Sequence, residues 1–338
     1  MSARDRALGA FSGLALGDAF GMPTQSMSRA QITAQYGTVD RLLDAVAVQP
    51  ISPGLPAGSI TDDTEQAVLV ARLLIEGAGR IEPTVFAKAL LDWESGMVRR
   101  GLADLLGPST KRAVELLESG VSPDEAGRTG TTNGAAMRIT PVAIATPPGL
   151  GPLLDAVVAA SSLTHNTNLG IAGAAAVAAA VSAGIGGADL PAALDHAERA
   201  AAAGAARGHW SAGGDIAARI RWAREWVRGM DTPALADAVA EVIGTSVAAQ
   251  ESVVAAFALA EALGDRPVEA LRLAAGLGGD TDTVAAMCGA ILGARHGLSG
   301  LPADLLTRVR AVNELELEPL VDGLLDLRRQ WKENSHEQ

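Results

Sequence analysis

The chain has 338 residues, 48% hydrophobic but only 3% aromatic, with 39 acidic against 27 basic side chains and a formal net charge of -12. The apolar share is ample for a buried core, which must be built mainly from Ala, Leu and Val, and such segments favour closely spaced helices. The acidic balance, with no run of Lys or Arg, excludes phosphate neutralisation as a binding mode, so no direct nucleic-acid partner is expected; the one cysteine, Cys288, excludes an internal disulfide and suits a reducing cytoplasm.

Apolar residues recur with a 3.6-residue period along nearly the whole chain, and no alternating β-branched run is long enough to demand a sheet. In order, the pattern predicts helices over 4–19, 63–77, 83–98, 109–119, 134–145, 151–162, 167–183, 190–204, 212–229, 233–241, 247–263, 267–275, 281–296 and 302–328. Gly/Pro-rich breaks such as residues 51–58 and 146–149 separate them, and none is long enough to be an interdomain linker. One all-α domain over 1–330 is expected, followed by a polar tail at 331–338. The first residues lead into a stretch too polar and broken for a signal peptide. The most membrane-like run, residues 169–185, is mostly Ala and Gly, and reads as a buried helix with close neighbours rather than a membrane span. The expected compartment is the cytoplasm, with no membrane partner.

Two short acidic clusters each run straight into an apolar helical stretch. Thr61-Asp62-Asp63-Thr64 precedes Glu65-Gln66-Ala67-Val68, and Gly278-Gly279-Asp280-Thr281-Asp282-Thr283 precedes Val284-Ala285-Ala286-Met287. Carboxylates and hydroxyls are hard oxygen donors, and a set with no Cys or His suits Mg²⁺ or Mn²⁺ rather than zinc. Two such sets could hold a pair of ions about 3.5–4 Å apart, as in enzymes that activate water. The same residue types are also preferred helix N-caps, and Asp in a first turn complements the helix dipole. A cap needs one side chain, however, whereas four adjacent acids repel one another for no structural gain. The residues alone leave both readings open.

Three more polar islands interrupt the apolar pattern. Asp18, in Gly17-Asp18-Ala19-Phe20-Gly21, reads either as a solvated side chain beside a glycine C-cap or as a point of close backbone approach. Gly130-Thr131-Thr132-Asn133-Gly134 places small residues ahead of a helix start, either as free N–H groups that cradle phosphate or as an ordinary loop ending in an Asn cap. His165 precedes an Ala-rich helix and reads first as a structural hydrogen-bonder.

Taken in order and spacing, Gly17-Asp18-Ala19-Phe20-Gly21, Thr61-Asp62-Asp63-Thr64, Asn133-Gly134-Ala135-Ala136-Met137-Arg138, Thr164-His165 and Gly279-Asp280-Thr281-Asp282-Thr283 resemble the ADP-ribosylglycohydrolase family, which includes the dinitrogenase-reductase-activating glycohydrolase and the ADP-ribosylserine hydrolases. The resemblance covers residues 13–296. It implies a compact, single-domain, orthogonal multi-helix all-α bundle with a central cleft holding two Mg²⁺ or Mn²⁺. It also implies cleavage of the N- or O-glycosidic bond at the distal ribose of an ADP-ribosyl group. Carried over, Thr61, Asp62, Asp63, Asp280, Asp282 and Thr283 match the metal ligands. Gly130, Thr131, Thr132, Asn133 and Gly134 fall where backbone amides bind the diphosphate, His165 matches a His near the bound ribose, and Gly279 joins the substrate-binding set. Asp104 lies in a segment similar to the family's D-x-G-x-x-T, here one residue longer. Many members carry a Glu seven residues after the Asp of the G-D motif; this chain has Gln25, whose neutral carbonyl cannot act as a base.

The expected function is therefore metal-dependent hydrolysis releasing ADP-ribose from a protein side chain or a small adduct, with Asp62 or Asp63 orienting or deprotonating the water. Metal binding lowers the pKa of water, and nearby carboxylates favour an oxocarbenium-like transition state. The partner is a small-molecule ADP-ribosyl ligand or an ADP-ribosylated protein. Two alternatives stay open. Gln25 and the scarcity of aromatics to stack on adenine favour a smaller ribosyl substrate such as a nucleoside. The other alternative is a non-catalytic ADP-ribose-binding protein, against which the intact acidic motifs argue.

Overall fold

A computed structural model describes residues 1–102 and 107–336, and among them β structure is confined to two isolated bridges, Thr132 with Ala248 and Thr167 with His209. The regular structure is otherwise helical: α1 (Ala3–Gly21), α2 (Arg29–Tyr36), α3 (Asp62–Glu76), α4 (Pro83–Arg99), α5 (Pro108–Glu118), α6 (Pro123–Ala126), α7 (Gly134–Met137), α8 (Thr140–Ala145), α9 (Leu150–His165), α10 (Asn168–Ile185), α11 (Leu190–Ala205), α12 (Ile216–Val227), α13 (Thr232–Asp237), α14 (Ala249–Ala262), α15 (Pro267–Gly276), α16 (Thr281–His296), α17 (Ala303–Asn313) and α18 (Glu318–His336). The all-α expectation holds.

The departures have local causes. The helix expected over 134–145 is two, α7 and α8, because Pro141 has no N–H to continue the ladder and its ring crowds the preceding turn. The one expected over 302–328 turns at Glu314, which adopts a left-handed conformation with φ of 49°, and α18 then continues to His336, into the stretch expected as a tail. Short α2 has only Ile32 buried, so it lacks the apolar stripe that periodicity detects. A capping box from Ser28 and Gln31 starts it instead. After α13 the chain continues as a π-helix through Ile243.

Two features set the site. α10 is the core helix, with residues 169–185 all buried and 94% of its apolar window covered by the rest of the fold. Among the described residues it is the one helix long and apolar enough to cross a membrane, and it is packed among α7, α9, α11 and α16 instead. Beside it, α1 and α16 run antiparallel along a seam of small residues. A Cβ built on Gly9, Gly13, Gly17 or Gly21 would collide with the backbone of Gly293, Gly289, Ala285 or Asp282 respectively. The four-residue spacing aligns these glycines on one face, so the two backbones touch directly. The seam ends by setting the last turns of α1, with Asp18, against the first turn of α16, with Asp282.

Candidate active site

Three helix ends meet where the α1–α16 seam closes. Asp18 from α1, Asp63 from the first turn of α3 and Asp282 from the first turn of α16 are each completely buried, and one carboxylate oxygen from each lies within 4.8 Å of the others. Asp18 anchors the start of α3: its carboxylate accepts from the Thr61 N–H at 3.0 Å, the Thr64 N–H at 3.1 Å and the Thr64 hydroxyl at 2.5 Å. An anion here satisfies amides that every helix start leaves free. The reading of Asp18 as a solvated side chain beside a C-cap is thus overturned. The helix runs on through Gly21, and that glycine is small so that Asp282 can approach.

The two acidic clusters interlock. The Thr61 hydroxyl donates to Asp282 Oδ2 at 3.4 Å, and the Thr283 hydroxyl donates to Asp63 Oδ1 at 3.2 Å. Asp62 and Asp280, at 5% and 6% exposure, are the two of the five aspartates that reach solvent. Asp280 accepts from the Asn133 side chain at 2.5 Å, and the nearby Gln25 side chain favours its charged form. Among the described residues none of the five forms an ion pair with Lys, Arg or His, and Asp63 Oδ2 and Asp282 Oδ1 are buried with no hydrogen-bond partner. Burial first, then mutual repulsion, pushes Asp62, Asp63 and Asp282 well above the usual carboxylate range, while burial raises Asp280 and lifts Asp18 to about 6. Unpaired buried carboxylates are costly unless protonated or bound to a cation. The donor set, all carboxylate and hydroxyl oxygen, fits a hard divalent cation.

The residues expected around the substrate are more mixed. Residues 130–134 line the approach to Asp280, with Thr131 and Thr132 partly exposed and Asn133 buried. Fewer amides point outward than expected: the N–H groups of Gly130, Thr132 and Asn133 donate to Gly127 O, Ser109 Oγ and Val247 O. Asn133 acts inward, joining this loop to Asp280 and to Ser252. Gly279, with φ of 77°, forms a turn whose N–H donates to Met27 O and whose carbonyl accepts from Ser26 N, so its backbone holds the segment carrying Gln25. His165 is fully buried, with Nδ1 on the Thr164 hydroxyl at 2.7 Å and Nε2 on the Thr132 hydroxyl at 2.9 Å, and it reaches the cleft only through Thr132. Asp104 lies outside the described residues.

Residues 1–334 match the model of the ADP-ribosylglycohydrolase family. The chain belongs to that family. It is a hydrolase acting on glycosyl bonds, specifically ADP-ribosyl linkages. It is 34% identical to the uncharacterized protein YegU of Escherichia coli (strain K12), over 96% of this chain and 98% of the relative. To the ADP-ribosyl-[dinitrogen reductase] glycohydrolase of Rhodospirillum rubrum it is 27% identical, covering 96% and 97% of the two chains. A solved structure described as an ADP-ribosylglycohydrolase-related protein complex superposes with a TM-score of 0.64 at 25% identity, covering 97% of this chain and 98% of the other.

Within this glycohydrolase, sequence reasoning assigned no role to Gln66, Arg138 or Thr164 and left that of Asp18 open. Gln66 donates to Asp62 Oδ2 at 3.3 Å, Arg138 donates to Gln66 Oε1 at 2.8 Å and to Thr164 Oγ1 at 2.5 Å, and Thr164 hands on to His165. For Asp18 a signal existed: glycines at 9, 13, 17 and 21 share their four-residue spacing with the small residues Ala285, Gly289, Gly293 and Gly297. Arg138 carries no local signal, because its partners lie far away in sequence.

Proposed function

We propose that the chain releases ADP-ribose from an ADP-ribosylated protein side chain or small adduct, using two divalent cations, Mg²⁺ or Mn²⁺, in the cleft between α1, α3 and α16. The observation that carries the reading is the pair of buried, unpartnered oxygens, Asp63 Oδ2 and Asp282 Oδ1, within five aspartates that lack any direct cationic partner among the described residues. Thr61, Asp62, Asp63, Asp280, Asp282 and Thr283 would hold the ions, with Asp18 completing the base of the cleft. Bound ions supply a water of lowered pKa and a grip on vicinal ribose hydroxyls.

The residues supply the rest. Asp62, at the solvent edge and held by Gln66, would orient or deprotonate the attacking water, with buried Asp63 beside it; the Gln66 contact and the slight exposure of Asp62 support this. Negative charge around the anomeric carbon favours the oxocarbenium character that develops as the glycosidic bond breaks. The hydroxyls of Thr131 and Thr132, with the outward amides of residues 130–134, meet the diphosphate. Gln25, near Asp280, is neutral, so any base must be one of the aspartates. The R. rubrum relative, named for a protein substrate, favours a protein-linked ADP-ribosyl group over a nucleoside. Incubation with Mg²⁺ or Mn²⁺ and a panel of ADP-ribosyl-arginine, ADP-ribosyl-serine, anomeric ADP-ribose phosphate and plain nucleosides, with product identification, tests this. Release of ADP-ribose only when metal is present is the expected result. Turnover of nucleosides alone, or full activity in chelator, would refute it.

A further inference from the structure

Arg138 is among the largest completely buried side chains in the fold, and among the described residues no carboxylate pairs with it. Its guanidinium lies over the Phe86 ring at 5.3 Å, and burial lowers its pKa only to about 10, so it stays charged. A buried cation without a direct counter-ion is costly, and the two neutral groups it bonds to are therefore informative. One is Gln66 Oε1, which leaves the Gln66 amide N–H to face Asp62. The other is Thr164 Oγ1.

A guanidinium only donates, so Thr164 must accept from it, and the threonine's own proton is left to find an acceptor. His165 Nδ1, at 2.7 Å, is the acceptor within reach. If Nδ1 accepts, a neutral imidazole carries its proton on Nε2, and that nitrogen donates to Thr132 Oγ1 at 2.9 Å. The ring is neutral because burial, then the charge of Arg138, holds it well below the usual range. Thr132, now an acceptor on its inner side, has its hydroxyl proton free for an oxygen in the cleft. The opposite tautomer would turn that proton inward and present only lone pairs to a phosphate or ribose oxygen.

We infer that Arg138 is a positioning residue: acting through Thr164, it fixes His165 as the Nε2–H tautomer and thereby makes the partly exposed Thr132 hydroxyl a hydrogen-bond donor to the ligand. The ligand half of this statement rests on the ADP-ribosyl reading above; the tautomer half does not. Both ring nitrogens of His165 are read by ¹⁵N NMR of the labelled full chain, with the resonances assigned by their loss in His165→Gln. Wild-type protein is expected to show a protonated Nε2 and a bare Nδ1 at neutral pH. Thr164→Val, which keeps the shape but removes the hydroxyl, should shift the ring toward Nδ1–H, and Thr164→Ser should restore the wild-type pattern. Arg138→Gln should act like Thr164→Val; because a buried Arg can be needed for folding, the Thr164 pair stands as the independent test. Titration with ADP-ribose is expected to show roughly tenfold weaker binding for Thr164→Val and near-normal binding for Thr164→Ser, the scale of one hydrogen bond. A wild-type ring protonated on Nδ1, or a Thr164→Val ring unchanged from wild type, overturns the inference. If ADP-ribose fails to bind while the tautomer behaves as stated, the reading of the cleft fails and the relay stands.

Discussion

Asp282→Asn separates a metal centre from a set of helix caps, because it is expected to change sign with conditions. The side chain is completely buried, Oδ1 has no partner, and Oδ2 has only a long contact from Thr61. Without a cation, an ionised Asp282 faces the buried carboxylates of Asp280, Asp18 and Asp62. Asn has the same shape and no charge. In chelator the variant should therefore be more stable than the parent, by about 1–3 kcal/mol, the penalty of an uncompensated buried polar group. With Mg²⁺ or Mn²⁺ the order should invert. The parent gains about 2.7 kcal/mol at a metal concentration one hundred times its Kd, whereas the variant, having lost a ligand at the base of the cleft, should gain little and turn over no substrate. Urea or thermal unfolding of both proteins, with metal and with chelator, reads all four values. A capping role predicts instead that the variant is as stable as the parent or weaker in chelator, and equally responsive to metal. Either result would refute the metal assignment.

Four further outcomes follow from the same geometry. In metal-free protein the Tm should rise as pH is lowered from 7 to 5, because Asp18, at about 6 when folded against 3.8 ordinarily, binds its proton more tightly in the folded state. That stability is present below about pH 4 and lost as pH climbs through 6, by about 3 kcal/mol for the two-unit difference; a flat or falling metal-free Tm over this range would contradict it. Gln25→Glu adds a carboxylate beside Asp280 and should tighten metal binding roughly tenfold, as about 1.4 kcal/mol would; calorimetric titration showing unchanged affinity would place position 25 beyond reach of the ions. Gly13→Ala, which touches none of the acids, should cost about 1–3 kcal/mol by wedging α1 from α16 and should also weaken metal binding, and unfolding curves with and without metal report both. Cys288, buried and pushed up to about 12, should resist thiol reagents at pH 8 until the protein unfolds; rapid labelling of the native protein would show that α16 opens.

The parts of this site that were legible in the sequence are those written in consecutive residues. Thr61, Asp62 and Asp63, and Asp280, Asp282 and Thr283, announce themselves as hard donors at helix starts. The fold does bring them together, because Thr61 and Thr283 each reach across to the other cluster. The all-α class followed from periodicity, and buried α10 from its Ala content. What stayed hidden depended on contacts between distant segments. Asp18 looked like the end of a helix because glycine usually is one, and only the partner helix reveals that Gly17 and Gly21 serve contact. Arg138 closed one of the resemblance's motifs without a role of its own, and its meaning lies with Gln66, Thr164 and Phe86. The free amides expected at residues 130–134 were fewer because Gly127 O, Ser109 Oγ and Val247 O take those of Gly130, Thr132 and Asn133, and the last of these pairings, in the Thr132–Ala248 bridge, spans more than a hundred residues.

The seam between α1 and α16 gives the centre an unusual kind of ruler. Most helix pairs are spaced by side chains, which can change rotamer, trim a methyl group or slide when a neighbour changes. Here the separation of Asp18 from Asp282 is measured in peptide planes, with nothing soft between them. Such a joint stores no rotamer entropy and offers no gradual adjustment: it is closed at one distance or it is forced apart. Variation in what this enzyme accepts should therefore accumulate on the rim, at positions such as Gln25 and Thr131, while the distance across the base of the cleft stays fixed.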